Sequence, residues 1–339
     1  MQKPTHTPFA PFTLGDITFP TNLIQGPLAG YSCAPFRSLL WRFGKPAYTC
    51  TEMLSATDLA SRVSQPKRYV YRDPIEGPLC YQLSSHDPES LKRATSIVTA
   101  QGADLIDLNC GCPVHKIRHK SAGSKLLQSP EKMYALLTAI KQNTAVPVTV
   151  KIRVSAPLGD HCSKSVIDAA ESAGVDAIIV HGRHWTERYD VPANLDAIKE
   201  ICALAKVPVI ANGDIADLVS LNNMFSQTHC AAVMISRASV GDPWIFARLE
   251  QAYRNPEQPL LLPTSQEVCA AFCSHIAGLV LLIGERNAVL QSRKLAKYYA
   301  QHLQKDVSEF IEAAQQETQL QPLYQLIQDV FAAKNLQVF

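Results

Sequence analysis

The chain has 339 residues, with 32 Lys plus Arg against 30 Asp plus Glu for a formal net charge of +2, and 47% of it is hydrophobic. That length buries a large core and exceeds the roughly 250 residues typical of one α/β barrel, so a barrel plus an appendage is expected; the near-neutral charge excludes a strongly basic nucleic-acid coat but permits a local patch. No stretch approaches the roughly 20 consecutive apolar residues of a membrane span, the most apolar run being Leu279 to Ile283, and the N-terminus lacks the basic-then-apolar order of a secretory signal, so a cytoplasmic protein with no membrane partner is expected. Ten cysteines without a single Cys-x-x-Cys pair predict a reduced chain with no metal site.

Eight short apolar segments follow one another: Leu23 to Gln25, Tyr48 to Glu52, Leu79 to Leu83, Leu105 to Asn109, Val146 to Arg153, Ala177 to His181, Val207 to Asn212 and Ala232 to Arg237. Helical patterns separate most of them. Asp87-Pro-Glu places a cap candidate and a first-turn proline before spaced apolar positions, and Ser129-Pro-Glu repeats that signal. Further helices are predicted over 165–173, 195–204, 218–225 and 243–253. Strand and helix alternating eight times predict a (β/α)8 TIM barrel, although a doubly wound sheet gives the same local signal. The barrel is expected over 1–254 and a proline- and leucine-rich linker over 255–264. Residues 265–339, with no β-rich run and no glycine after Gly284, predict a C-terminal all-helical domain.

In such a barrel the site forms at the C-terminal ends of the strands. Those ends are polar and small: Gly26-Pro-Leu-Ala-Gly30, Glu52-Met53, Gln82, Asn109 to Cys112, Lys151-Ile-Arg153, His181-Gly-Arg183, Asn212-Gly-Asp214 and Ser236-Arg237. Ile106 and Leu108 alternate with Asp107 and Asn109, so one strand face is apolar and the other carries polar groups into the interior. Gly111 and Pro113 break the extension and aim Cys112, whose thiol can act as an acid. Thr149, Lys151 and Arg153 alternate in the same way, pointing a lysine into the barrel mouth. A buried lysine needs an anionic partner, which leaves a core ion pair or an anionic ligand. Asn212-Gly-Asp214 and Ser236-Arg237 stand where barrels commonly hold a phosphate.

Together, Pro27-Leu-Ala-Gly30, Gln82, Asn109-Cys-Gly-Cys-Pro113 with Lys116, Ala122-Gly-Ser-Lys-Leu-Leu127, Lys151-Ile-Arg153, His181-Gly-Arg183, Asn212-Gly-Asp-Ile215, Ser236-Arg237 and Pro243-Trp-Ile-Phe246 resemble the tRNA-dihydrouridine synthases. The resemblance runs in order from about Leu23 to the end of the barrel. It implies a flavoprotein that reduces the C5=C6 bond of selected uridines in tRNA, with FMN as cofactor and NADPH as electron donor. It further implies Cys112 as the acid that protonates C5, with Cys110 as a structural cysteine. Pro27, Leu28, Ala29, Gln82 and Lys151 would line the isoalloxazine, His181 would contact flavin or substrate or else be a hydrogen-bonded structural histidine, and Asn212, Gly213, Asp214, Ser236 and Arg237 would enclose the FMN phosphate. The tail would be a helical tRNA-binding domain, and the enzyme a monomer.

Two departures from the family pattern stand out. Ser236 occupies a position that is usually glycine, adding a Cβ where backbone approaches phosphate. The stretch 154–160 lacks the Gly-Trp that often follows the Lys-x-Arg strand. Asn109, Lys116, Arg118 and Arg153 are candidate substrate contacts, and His115, His119, Lys120 and Lys125 extend Lys116 and Arg118 into a basic segment suited to phosphates flanking a target base. Arg293, Lys294 and Lys297 share a predicted helix face and could extend that track or simply be a solvated face. A flavin barrel acting on a free small molecule, of the dihydroorotate dehydrogenase type, and an RNA-binding protein without redox chemistry are the competing readings.

Overall fold

The computed structural model describes residues 6–61, 67–154 and 162–332, so the departure at 155–160 lies outside the described residues. The chain forms two compact units. One comprises Met1–Ala29, Pro46–Val70 and Gly77–Ser236, and the other Gly30–Lys45, Tyr71–Glu76 and Arg237–Phe339.

In the first unit a hairpin of β1 (Phe12–Leu14) and β2 (Ile17–Phe19) precedes the strands β3 (Leu23–Gln25), β4 (Thr49–Cys50), β5 (Leu54–Ser55), β6 (Leu79–Ser84), β7 (Leu105–Cys110), β8 (Val148–Arg153), β9 (Ala177–His181), β10 (Val209–Asn212) and β11 (Ala232–Ile235). The parallel order is β3-β11-β10-β9-β8-β7-β6-β4, with β5 pairing β6 beyond β4. Backbone bonds from Ala47 N to Leu23 O (2.7 Å) and from Gln25 N to Tyr48 O (3.1 Å) join the first strand to the segment entering β4 and close the ring. The result is an eight-stranded TIM barrel, as the alternation of elements predicts. The eight strands of the ring, β3, β4 and β6 to β11, each fall on one of the eight apolar segments, because a strand buried on both faces writes itself as a short apolar run, whereas the two-residue β5 lies just outside them.

Helices Pro88–Ala100, Pro130–Lys141, Cys162–Ser172, Leu195–Leu204 and Leu218–Thr228 cover the strands. Asp87 caps the first of these, accepting from Ser90 N at 2.9 Å. Ser129 does not cap the second with its side chain, so proline alone marks that start. The β1–β2 hairpin, absent from the sequence reading, inserts Phe12, Leu14 and Phe19 among Leu105, Ala177, Ile210 and Ala232, which lie at or near the first residues of their strands. It therefore plugs the N-terminal end of the barrel with apolar packing and leaves polar chemistry to the other end.

The second unit contains helices Ala34–Phe43, Ile245–Arg254, Ser265–Ile283, Glu285–Ala300, Ser308–Gln316 and Leu320–Ala332. Helix Ser265–Ile283, opened by a Thr264/Glu267 capping box, is 19 residues long with a mean hydropathy of 1.7, enough by length and composition to cross a membrane. Counting uninterrupted apolar runs missed this, because Glu267 and His275 interrupt the runs without making the helix polar. Its stripe of Val268, Ala271, Phe272, Ile276 and Leu279 is buried, and Phe272 stacks on Tyr299 of the next helix with ring centres 4.4 Å apart. Arg37 holds the two short segments of this unit together. It donates to both carboxylate oxygens of Glu76 (2.6 and 3.0 Å) and to the carbonyls of Ser32 (2.7 Å) and Tyr71 (2.9 Å). Both side chains are at most 1% exposed.

Removing one partner of such a pair strands a buried charge. Arg37→Ala is expected to destabilise the fold by about 3–5 kcal/mol, whereas the double change Arg37→Met with Glu76→Leu costs far less. Urea unfolding of the three proteins checks this.

Candidate active site

The barrel interior changes from apolar to polar along β7, whose Asp107 is buried at the centre of a hydrogen-bonded group. Thr149 donates its hydroxyl to Asp107 Oδ1 (2.7 Å), and Gln82 donates Nε2 to Asp107 Oδ2 (2.8 Å). Asn109, two residues on and on the same face, donates to Gln82 Oε1 (2.8 Å). Asn109 Oδ1 then accepts from the backbone of Gly111 (3.2 Å) and Cys112 (2.9 Å). Register explains the meeting: Gln82 pairs with Asp107, Asp107 with Thr149, and Asn109 with Lys151. Desolvation lifts the Asp107 carboxyl to about 7 against the pull of Thr149, Gln82 and Lys151.

The loop after β7 is held from several sides. Gly111 O accepts from Arg153 Nε (2.8 Å), and Cys112 O accepts from the backbone and hydroxyl of Ser124 (3.0 Å each). Gly123 adopts φ +60°, and a Cβ there would lie 2.7 Å from Cys112 O, so only glycine lets the two segments meet. Cys112 is half-buried at the mouth. Desolvation raises its thiol above the usual range, opposed by the Val114 N–H and the Arg153 charge, so it is protonated at neutral pH. Cys110 sits on the opposite strand face, fully buried, its thiol pushed well up by desolvation.

Lys151 reaches the mouth beside this loop and donates to Asn212 Oδ1 (2.9 Å), while Asn212 Nδ2 donates to Met234 O (2.8 Å). Desolvation and the Arg153 charge draw its ammonium down to about 8, with Asp107 pulling the other way. Arg153 also donates to His184 O (3.0 Å). Arg183, to which the sequence reading assigned no role, is fully buried and donates to Asp214 Oδ2 (2.6 Å) and Tyr189 O (3.2 Å), with Nη1 3.4 Å from His181 Nε2. The Asp214 carboxylate also accepts from Ala193 N (2.9 Å), so the same oxygen meets both Arg183 and that backbone.

Across the mouth, Gly26 N donates to Ile235 O (2.8 Å), and a Cβ on Gly26 would strike Ser236 Oγ and Met234. Pro27 and Leu28 follow half-buried and Ala29 exposed. Gly213 has φ +149°, and a Cβ there would lie 2.5 Å from Ala193 Cβ. The structure therefore brings Gln82, Asn109, Cys112, Lys151, Arg153, His181, Asn212 and Asp214 to the strand ends at the mouth, Gln82, Asn109 and the Cys112 loop in one hydrogen-bonded chain and Lys151 with Asn212 in another. Of the basic segment, Lys116 is exposed, whereas Arg118 donates to Ser124 Oγ (2.8 Å) and stacks on Trp185 at 3.4 Å. Arg237 opens a short turn of the second unit. There Arg293 donates to Glu317 O (2.8 Å), capping the end of helix Ser308–Gln316, while Lys294 and Lys297 are exposed, Lys297 lying 4.8 Å over Tyr298. Among the described residues no group of three or more His, Cys, Asp or Glu could hold a metal ion.

This arrangement can donate a proton from a thiol and place a cation against developing negative charge within one polar mouth. The profile of the dihydrouridine synthase (Dus) family matches residues 24–335. The tRNA-dihydrouridine synthase B of Pasteurella multocida (strain Pm70) is 30% identical over 291 residues, covering 86% of this chain and 87% of that protein. The protein of the same name from Escherichia coli (strain K12) is 32% identical over 289 residues, 85% of this chain and 89% of its own. Histamine dehydrogenase from Rhizobium sp. 4-9 is similar in fold, with a TM-score of 0.56, 13% identity and 79% of this chain aligned; this chain covers half the length of that one. With the profile spanning nearly all of the barrel and the helical region, the chain belongs to the dihydrouridine synthase family.

Proposed function

We propose that the protein reduces the C5=C6 bond of uridine in tRNA to 5,6-dihydrouridine, with FMN as the bound cofactor and NADPH as the source of electrons. The observation that carries this reading is a free thiol, Cys112, presented at a barrel mouth whose opposite wall is backbone and small side chains. The residues fit a flavin. Gln82 keeps one N–H and one lone pair beyond its bonds to Asp107 and Asn109, and Lys151 keeps two donors beyond Asn212. Gly26 to Ala29 offer a flat face, and the turn at Gly213 offers backbone to a phosphate. Bound FMN would supply a hydride to C6 of the uridine.

The chain's own groups do the rest. Cys112 gives its proton to C5, and its raised thiol range keeps that proton in place at neutral pH until it is needed. Lys151 sets a positive charge against the polar edge of the ring system, and Asn212 aims it. Asn109 fixes the Cys112 backbone, and the Asp107–Gln82 bond fixes which way the Asn109 amide faces. The exposed lysines beside Cys112 suit the phosphates flanking an unstacked base.

Purified protein reconstituted with FMN and incubated with NADPH and an unmodified tRNA transcript is expected to form dihydrouridine, measured by mass spectrometry of the digested RNA. Turnover of orotate-like molecules without RNA, and none of tRNA, would overturn the proposal. Cys112→Ala should retain FMN and lose reduction by about 10²–10⁴-fold, while Cys110→Ala, on the outer strand face, keeps its rate; the reverse ranking sinks Cys112 as the acid. The pH profile follows from the two shifts. The Lys151 charge is present below about 8 and lost above it, while the Cys112 thiol, held above its usual range, keeps its proton longer. Single-turnover rates should fall as pH rises through about 8, and in Lys151→Arg, which stays charged, that alkaline limb should vanish.

A further inference from the structure

We infer that a cavity beside the catalytic loop receives a second nucleotide of the RNA, a neighbour of the base that is reduced; the inference rests on the RNA-reductase reading above. The cavity, of about 550 Å³, lies within the barrel unit between the segment that carries Leu54 and Leu59, the end of β6 and the short helix His115–His119. That volume is in the range of small-molecule sites, roughly 300–1,000 Å³. Its wall is apolar where Leu54 and Leu59 are buried and Ile117 is half-buried. Set among them is Ser84, the last residue of β6 and only 7% exposed. No hydrogen bond of its hydroxyl is seen among the described residues, and since the residue lines the cavity the hydroxyl is available to an entering ligand there.

The rim has two further features. Lys116 and Lys120, four residues apart and both exposed, face the cavity without an ion-pair partner among the described residues. Tyr69, 37% exposed, also lines it. A flat apolar base, one polar edge for the Ser84 hydroxyl, a ring for stacking and two ammonium groups for phosphate make up the chemistry of one nucleotide. Position then selects the source. Ile117 Cγ2 and Cys112 Cβ lie 3.0 and 3.1 Å from the place a Cβ on Gly123 would occupy, so one side chain's thickness parts the cavity from the reacting thiol. A nucleotide adjacent in the strand to a base over Cys112 is within reach of it. The dinucleotide reductant carries the same nucleotide unit, and the test separates the two.

Two variants are loaded with FMN: Ser84→Leu, which fills the cavity, and Lys116→Ala with Lys120→Ala, which removes the phosphate partners from an exposed helix without touching the core. Binding of an unmodified tRNA transcript to each holoenzyme is read by fluorescence anisotropy, and bleaching of the FMN by NADPH is followed without RNA. Each variant is expected to weaken transcript binding about tenfold, and a transcript bearing 4-thiouridine next to the target should cross-link to peptides containing Ser84 or Ile117. The inference is overturned if Ser84→Leu melts like the wild type and binds the transcript as tightly. It is also overturned if the loss appears in the NADPH arm while RNA binding stands, which would assign the cavity to the reductant. Because binding and cross-linking need no turnover, a wild type that binds and cross-links but makes no dihydrouridine sinks the activity reading and leaves the cavity assignment standing.

Discussion

Everything at the barrel mouth depends on one buried carboxyl. Asp107 lies at full burial in the barrel interior and is tolerated there because Thr149 and Gln82 both donate to it. A buried acid without these donors would cost several kcal/mol or stay neutral. The second of these bonds fixes the Gln82 amide, which in turn fixes Asn109, whose side-chain oxygen gathers the N–H groups of Gly111 and Cys112. A single acceptor deep in the barrel thus sets the orientation of a thiol at its surface.

The apolar plug at the other end makes this possible. With Phe12, Leu14 and Phe19 filling the N-terminal end, polar side chains concentrate in the layers nearest the mouth, where each finds a partner one strand away. Parallel strands in register place residues of equal depth side by side, so Gln82, Asp107 and Thr149 form a layer, and Asn109 and Lys151 form the next. The two arginines that follow brace the loops: Arg153 holds Gly111 and His184, and Arg183 holds Tyr189 and Asp214. Arginine suits this work because its planar fork can serve several acceptors at once and keeps its charge.

The barrel shared with histamine dehydrogenase is a matter of fold, and folds of this kind carry many chemistries. In this chain the loop Asn109 to Pro113 is met by the segment Ala122 to Leu127, which folds back to it through Gly123 and Ser124. The family profile extends through the helical region. That region forms one compact unit with residues 30–45 and 71–76, which leave the first unit and return to it. Arg37 and Glu76 make the contact between those two segments, so the helical unit is more than a tail.

How much was legible in the sequence divides along a physical line. All eight barrel strands, the order of their polar ends and the inward face of Asp107 and Asn109 could be read directly, because the side-chain period of a strand and the caps of a helix are local properties. The hairpin plug could not, since two three-residue strands leave almost no periodic signal. Nor could the fates of Arg183, Asp214, Arg118 and Arg293, whose partners include residues as distant in the chain as Trp185 is from Arg118: whether a charged side chain meets a ligand or a carbonyl depends on which distant backbone folding brings beside it. The sequence by itself determined the strands, the thiol and the lysine at the mouth. Only the tertiary structure decided which of the polar groups there are already committed to one another and which are left to meet a substrate, because hydrogen-bond capacity is shared out in space and not along the chain.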